Sequence, residues 1–298
     1  MSPVKCSVVA KFLQKAIKGQ DLIVEKISDL NACGRGDLVW VKNFTPERQA
    51  ILEARQPALV ICDKETGERT TVTHIISDKP RLDFIKVVNR FFARPIKITG
   101  IHPTAIIEEG AILGTNLSIG AYCRIGSEVS IGNDCIIHSG VAIEGKVQIG
   151  KQCVIKSNSV IGGEGFGFEY DEDGNPIHFP HYGRIEIGDH VWIGACSTVE
   201  IGALGATVIS YGCKVDDLVQ IGHNTLIGKN TLITANTVIC GGAVIGEECW
   251  IAPNSVVKEK IKVGNRVTIG LGSVVIRNIE DDLVVAGVPA VPLKPKCK

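Results

Sequence analysis

The stretch Ile125-Gly126-Ser127-Glu128-Val129-Ser130-Ile131-Gly132-Asn133-Asp134-Cys135-Ile136-Ile137 decides how the chain is read, because an aliphatic residue returns at every sixth position. Extended backward, the same step meets Ile119, Leu113, Ile107 and Ile101; extended forward, it meets Ile143, Ile149, Ile155 and Ile161. An α-helix with 3.6 residues per turn would rotate such residues off any one face, whereas a stack of short strands keeps them in phase. The phase resumes at Ile187, Ile193 and Val199, slips by four residues, and then runs from Ile209 to Val275. Four places after each aliphatic the residue is small or β-branched, as at Ala105, Cys123, Val129, Cys135, Cys153, Ser197, Thr225, Thr231 and Ala243. Strand alternation makes this a second inward position in each repeat. Turns every six residues describe a triangular prism of about eighteen residues per coil, a parallel β-helix of hexapeptide repeats. The glycine that often follows the aliphatic (Gly114, Gly132, Gly228, Gly246) is expected to serve the sharp corner.

Composition narrows the class. Lys+Arg and Asp+Glu balance at 32 each, so no global field favours nucleic acid or an anionic membrane. No apolar run is long enough for a secretory signal or a spanning helix, and a cytoplasmic protein is expected. The 11 cysteines are odd in number and include no Cys-x-x-Cys pair, which points to reduced thiols rather than disulfides or a metal site. Cys123, Cys135, Cys153, Cys213 and Cys249 take the small inward slot, where a free thiol behaves as a small hydrophobe.

Two regions depart from the repeat. An insert at 162–186, rich in glycine and aromatics (Gly163-Glu164-Gly165-Phe166-Gly167-Phe168-Glu169-Tyr170), carries the turn signal Asp173-Gly174-Asn175-Pro176 and is expected to project as a hairpin, a candidate wall for a substrate. Residues 1–98 form a separate α/β unit. Val8, Val9, Phe12, Leu13, Ala16 and Ile17 have helical spacing, Thr45-Pro46-Glu47 starts a helix, and Leu82, Ile85, Val88 and Phe92 mark another. Short strands are expected at 38–41, 58–61 and 74–76, and Arg94-Pro95 with Gly100 marks the joint. The repeat domain spans 99–280, and 281–298 reads as a tail.

His223, in Asp216-Asp217-Leu218-Val219-Gln220-Ile221-Gly222-His223-Asn224, is the only histidine after His190. Two residues past an inward isoleucine, it belongs on the outer surface, among Asp216, Gln220 and Asn224, polar residues suited to a sugar. Most lone surface histidines are inert. Eighteen residues on stands Gly241, whose backbone N–H has no side chain to shield it. A base with an oxyanion donor one strand spacing away is what acyl transfer requires.

The insert, the segment from Asp216 to Asn224 and the N-terminal unit together resemble the UDP-3-O-acylglucosamine N-acyltransferase family of lipid A synthesis, from about Ile27 to Ile269. That resemblance implies a mainly β protein: a left-handed parallel β-helix with a small N-terminal α/β domain, assembled as a homotrimer with active sites between subunits. It implies His223 as general base and Gly241 as oxyanion donor. In Gly36-Asp37-Leu38-Val39-Trp40-Val41-Lys42-Asn43 it implies Trp40 and Asn43 as uracil contacts; Pro46 replaces a second aromatic, for which Phe44 is the substitute. A core-packing role for Trp40 stands beside the uracil role.

Two features depart from the family. Lys260 stands where a second histidine is expected, and the helical extension that engages acyl carrier protein is absent from the sequence. The end of the chain, with Ala286-Gly287-Val288-Pro289-Ala290, is instead similar to acetyl-CoA-dependent sugar acetyltransferases. Lys258, Lys260 and Arg277 are then candidates for holding the phosphates of coenzyme A, although basic residues on a rod surface are most often simply solvated. The expectation is an N-acyltransferase with no permanent cofactor, acting on a UDP-linked amino sugar with acyl-CoA or acyl carrier protein as donor. An acetyl-CoA-dependent nucleotide-sugar N-acetyltransferase is the alternative. A zinc site needs three converging histidines, which the isolation of His223 opposes, and a non-catalytic assembly module would make both His223 and the insert incidental.

Overall fold

A computed structural model describes residues 3–93 and 99–295 of the chain, which divides into two compact units, residues 1–97 and 98–298. The second unit is a parallel β-helix. Its strands form three sheets: a first face of eleven strands beginning at Gly100–Ile101, a second of nine beginning at Ile106–Ile107, and a third of eight beginning at Ile112–Leu113. Where the repeat is unbroken, a strand pairs with the one eighteen residues later, as Ile119 with Ile137 or Ile221 with Ile239. The six-residue aliphatics form one continuous core in which Ile119, Ile125, Ile143, Ile193, Ile221 and Ile239 are fully buried.

The smaller inward slot holds cysteine, serine and threonine without leaving them unpaired. The Thr231 hydroxyl donates to the carbonyl of Gly246 at 2.8 Å, Ser159 to that of Gly194 at 2.6 Å, and the Cys135 thiol to that of Gly150 at 3.1 Å. A corner carbonyl thus finds a donor from inside the prism, so these polar groups are buried at little cost. All five slot cysteines are buried.

The corner glycines act differently from the sequence expectation. Those directly after the aliphatic, Gly162 at the start of the insert excepted, do not adopt positive φ; they are where one coil's backbone meets the next. A Cβ on Gly228 would lie 2.5 Å from the carbonyl carbon of Gly246, and one on Gly246 2.5 Å from the carbonyl oxygen of Gly264. The left-handed turn residue is the one two places further on. Asn158, Asn224, Asn230, Asn236 and Asn254 fill it with φ between 56° and 62°, and Lys260 with φ 58°. Asparagine tolerates this region better than most residues.

Both interruptions of the repeat keep the rod in register. Val147 pairs with Ile185, where an unbroken coil would pair it with residue 165, and Ile185 in turn pairs with Thr207. The insert contains the expected hairpin, Phe168–Tyr170 against Pro176–His178. It closes at Gly183 rather than at 186, because Arg184–Ile187 is already a strand of the third face. The segment from 281 also continues the stack: Leu283–Ala286 pairs in parallel with the strand Thr268–Ile269.

The N-terminal unit is a five-stranded sheet in the order Ile17–Lys18, His74–Ile76, Leu59–Cys62, Asp37–Val41, Lys26–Ile27. Alternate residues of its strands face two cores: Leu38, Leu59, Ile61 and Ile75 on one side, Val39, Val41, Val60 and Cys62 on the other. Helix α1 (Cys6–Leu13) ends before Ile17, which lies in a strand. Helix α2 (Pro46–Arg55) starts as expected, with the Thr45 hydroxyl accepting from the Arg48 N–H at 3.2 Å. A third helix, α3 (Lys64–Arg69), was not read from the sequence. In α4 (Pro80–Val87) the buried face is Pro80, Asp83 and Val87, while Leu82 and Ile85 are exposed. Asp83 turns inward because it accepts from the Ser77 hydroxyl at 2.6 Å. The joint at Arg94-Pro95 lies outside the described residues.

Two substitutions in one turn separate the two corner roles. Gly228→Ala is expected to destabilise by about 1–3 kcal/mol, because its methyl group meets backbone that cannot yield. Asn230→Gly is expected to stay within about 0.5 kcal/mol, because glycine also accepts positive φ. Denaturant unfolding of the pair checks this; equal losses would refute the assignment.

Candidate active site

The corner between the second and third faces at His223 gathers side-chain and backbone groups from four stretches of chain. Glu200, outward at the end of the strand Thr198–Glu200, accepts the His223 backbone N–H on Oε2 at 3.1 Å and the Gln220 amide on Oε1 at 3.0 Å. Asn224 Oδ1 accepts the Ala203 N–H at 2.9 Å and lies 3.1 Å from His223 Nδ1. An atom that accepts from a backbone N–H is the amide oxygen, so Nδ1 of His223 carries the hydrogen and Nε2 keeps a bare lone pair. Nε2 faces Gly241: a Cβ there would lie 2.6 Å from it, so only glycine allows the ring this position. The Gly241 N–H donates no hydrogen bond among the described residues.

Both irregularities of the rod end at this corner. The four-residue slip supplies Ala203, which orients Asn224. The insert crosses His223 at Gly165, where a Cβ would lie 2.8 Å from His223 Cδ2, 2.8 Å from Glu200 Oε2 and 3.1 Å from His181 Nε2. His181 stands edge to face with His223, ring centroids 5.2 Å apart. Beyond it the hairpin exposes Phe166, Phe168, Tyr170, Ile177 and Phe179, and four of these side chains, all but Phe166, line a hollow of about 510 Å³.

Gln220 and Asn224 are therefore brought to His223, but their side chains hold Glu200 and the imidazole rather than standing free for a sugar. Asp216 is set apart. It is exposed at the preceding corner, one strand away, beside Asp217, whose carboxylate pairs with Lys156 at 3.1 Å. The Ala195 N–H and then Lys156 hold the Asp217 carboxyl below its usual range. Cys240 adjoins the site, yet burial first, and then the charges of Glu259 and Glu200, push its thiol up, so it offers no thiolate nucleophile. Arg277 continues the position of His223 and Gly241 down the rod, and Lys260 follows Gly242, donating its N–H to the Gly241 carbonyl at 3.1 Å. Lys258 pairs with Glu259 at 3.5 Å.

In the N-terminal unit Trp40 lines a cavity of about 310 Å³ with Asp29, Asn31, Lys42 and Arg48, and also packs partly on the core. Asn43 and Phe44 do not line it. Asn43 turns with φ 67°, and its carbonyl accepts from Arg48; the ring of Phe44 lies under the Arg69 guanidinium at 4.7 Å. Glu200 and His181 went unremarked in the sequence, and Gly165 was read only as part of the insert, since each sits in or beside an irregular stretch whose path periodicity does not give. The described residues contain no cluster of three or more metal-ligating side chains and no helix long and apolar enough to cross a membrane.

The "Bacterial transferase hexapeptide (six repeats)" family model matches residues 128–163 and 242–277. A UDP-3-O-acylglucosamine N-acyltransferase of Delftia acidovorans is 31% identical over 273 residues, covering 90% of this chain and 80% of that protein. The chain belongs to the UDP-3-O-acylglucosamine N-acyltransferase family. A family member from Coxiella burnetii is 34% identical over 194 residues, 59% of this chain, and the match spans little more than half of that protein, 57%. Among solved structures, a UDP-N-acetylglucosamine acyltransferase from Campylobacter jejuni superposes with a TM-score of 0.61 at 25% identity, covering 66% of this chain and 75% of that one.

Nitrogen-15 NMR of the imidazoles tests the geometry without an assay. His223 is expected as the Nδ1–H tautomer, and Asn224→Ala should shift it toward a tautomer mixture while circular dichroism stays unchanged. A dominant Nε2–H form in the parent protein would contradict the site described.

Proposed function

We propose that the protein is an N-acyltransferase that moves an acyl group from a thioester to the amine of a UDP-linked amino sugar. One observation carries this reading: the bare Nε2 of His223 faces Gly241, whose N–H is unengaged. The amine attacks the thioester carbonyl, His223 accepts its proton, and the Gly241 N–H stabilises the oxyanion; the protonated imidazole then protonates the leaving thiolate. Asn224 and Glu200 keep the imidazole and its backbone in place for both transfers. Family membership supports the same chemistry, as does the activity for which the relatives are named.

The remaining roles belong to the same proposal. The polar cavity beside Trp40 suits a uridine diphosphate, with Lys42 and Arg48 as charge partners. Lys258, Lys260 and Arg277 suit the phosphates of coenzyme A, whose compact charge a few basic side chains can hold. Acyl-CoA is accordingly the donor we favour over acyl carrier protein. The working form is a homotrimer, and the site is cytoplasmic, where the thioester donors are made.

His223→Ala is expected to retain the fold and lower turnover by about 10²- to 10⁴-fold. Undiminished turnover in the variant would remove His223 from the mechanism. Trp40→Ala should raise KM for the UDP-sugar with kcat nearly unchanged, as a remote handle contributes uniform binding. Lys260→Ala and Arg277→Ala should weaken acyl-CoA use and its salt sensitivity. Activity confined to a carrier-protein donor would rule out the coenzyme A assignment.

A further inference from the structure

We propose that Glu200 and His181 form a recess beside His223 that binds the primary ammonium of the acceptor sugar and discriminates against a hydroxyl at the same position; this deepens, and rests on, the acyl-transfer reading above. His181 is 7% exposed, and its Nδ1 lies 2.9 Å from the carbonyl oxygen of Phe179. A carbonyl only accepts, so Nδ1 carries the hydrogen and Nε2 is an acceptor. That nitrogen is buried and has no hydrogen-bond partner. A buried polar atom left unpaired costs about 1–3 kcal/mol, which calls for a ligand or a function to explain it.

The surroundings say what kind of group is missing. His181 Nε2, Glu200 Oε2 and the Cδ2 edge of His223 all lie within 3.1 Å of where a Gly165 Cβ would stand, so the two acceptors and the ring come together where the insert passes, and only glycine there lets them approach so closely. Neighbouring protein donors are already spent: the Gln220 amide and the His223 N–H on Glu200, and the His181 N–H on Glu164 at 3.3 Å. His178, the next ring along, has its Nε2 paired with Glu164 at 3.2 Å. What remains beside Gly165 is two acceptors, one of them a carboxylate. A hydroxyl brings one hydrogen and two lone pairs of its own, whereas an ammonium brings three hydrogens and none. The ammonium alone satisfies both acceptors, and its hydrogen bond to a carboxylate is charge-assisted.

The recess also completes the proton balance of amide formation. An ammonium has no lone pair for attack. His181 Nε2 takes one proton to release the neutral amine, the nitrogen attacks the thioester carbonyl, and His223 takes the second proton and passes it to the departing thiolate. The products are the amide, the thiol and one proton, which His181 returns to solvent.

Titration calorimetry on the full-length protein tests the recess separately from catalysis. The ligands are a UDP-2-amino sugar and the matching UDP-sugar with a 2-hydroxyl, at a pH where the amine is protonated. The parent protein is expected to bind the amine about tenfold more tightly. Glu200→Gln and His181→Leu should each bring the ratio near one with the hydroxyl ligand's affinity unchanged, and His181→Gln, which restores an acceptor, should recover part of the preference. No preference in the parent protein, or one that survives in both Glu200→Gln and His181→Leu, overturns the recess even if amide is formed. An equal loss for both ligands also overturns it, because His181 then only braces Glu200. A preference lost as expected, but with no amide formed from any thioester, upholds the recess and removes the acyl-transfer reading. If His181→Leu does not fold, Glu200→Gln and His181→Gln decide.

Discussion

Neighbouring coils of the rod stand one strand spacing apart, about 4.8 Å, and the rest of the molecule depends on that approach. Glycine after the aliphatic lets backbone meet backbone there, and a left-handed residue two places on lets the chain turn without widening the coil. The same spacing places residues eighteen apart in columns. His223, Gly241 and Arg277 share such a column, so chemistry at this corner follows from register rather than from a flexible loop. A rod whose inward side chains are closely packed gives a catalytic imidazole little freedom, and rigid placement is what proton transfer and oxyanion stabilisation need.

The irregular segments supply what a regular prism lacks. A perfect hexapeptide corner exposes a histidine on a convex edge, with water on most sides. Here the slip at Ile201–Gly205 reaches Asn224 and the insert crosses at Gly165, so the two departures from the repeat meet over one ring. Tyr182 and Gly183, at the end of the insert, donate to the carbonyls of Ala203 and Gly202 at 2.7 and 2.9 Å, tying one irregularity to the other. The partly shielded corner that results has a lower local dielectric than open surface, which strengthens its polar interactions and makes an unpaired nitrogen such as His181 Nε2 more consequential.

The N-terminal unit shows how local chemistry redirects residues of the right type. Trp40 reaches a polar cavity, yet the neighbouring aromatic does not. Phe44 is covered by Arg69, and Asn43 is turned by a left-handed backbone while Arg48 holds the carbonyl beside it. Spacing along the chain put these three residues in one motif. Side-chain partners from helices α2 and α3 then separated them.

Sequence alone determined the β-helix, its three faces and its inward residues, because a six-residue period is compatible with one repeating backbone and each coil needs only its neighbours. It also determined that His223 and Gly241 are one coil apart, since a register of eighteen is arithmetic once the repeat is known. It placed Thr45 as a helix cap and the cysteines in the core for equally local reasons. The glycine role was misread because close approach between coils is a tertiary contact, and the apolar phase of α4 was misread because Ser77 draws Asp83 inward. Only the tertiary structure decided which groups surround the imidazole. Glu200, Ala203, Gly165 and His181 lie in or beside stretches without period, and where such stretches run is set by the packing of the completed rod.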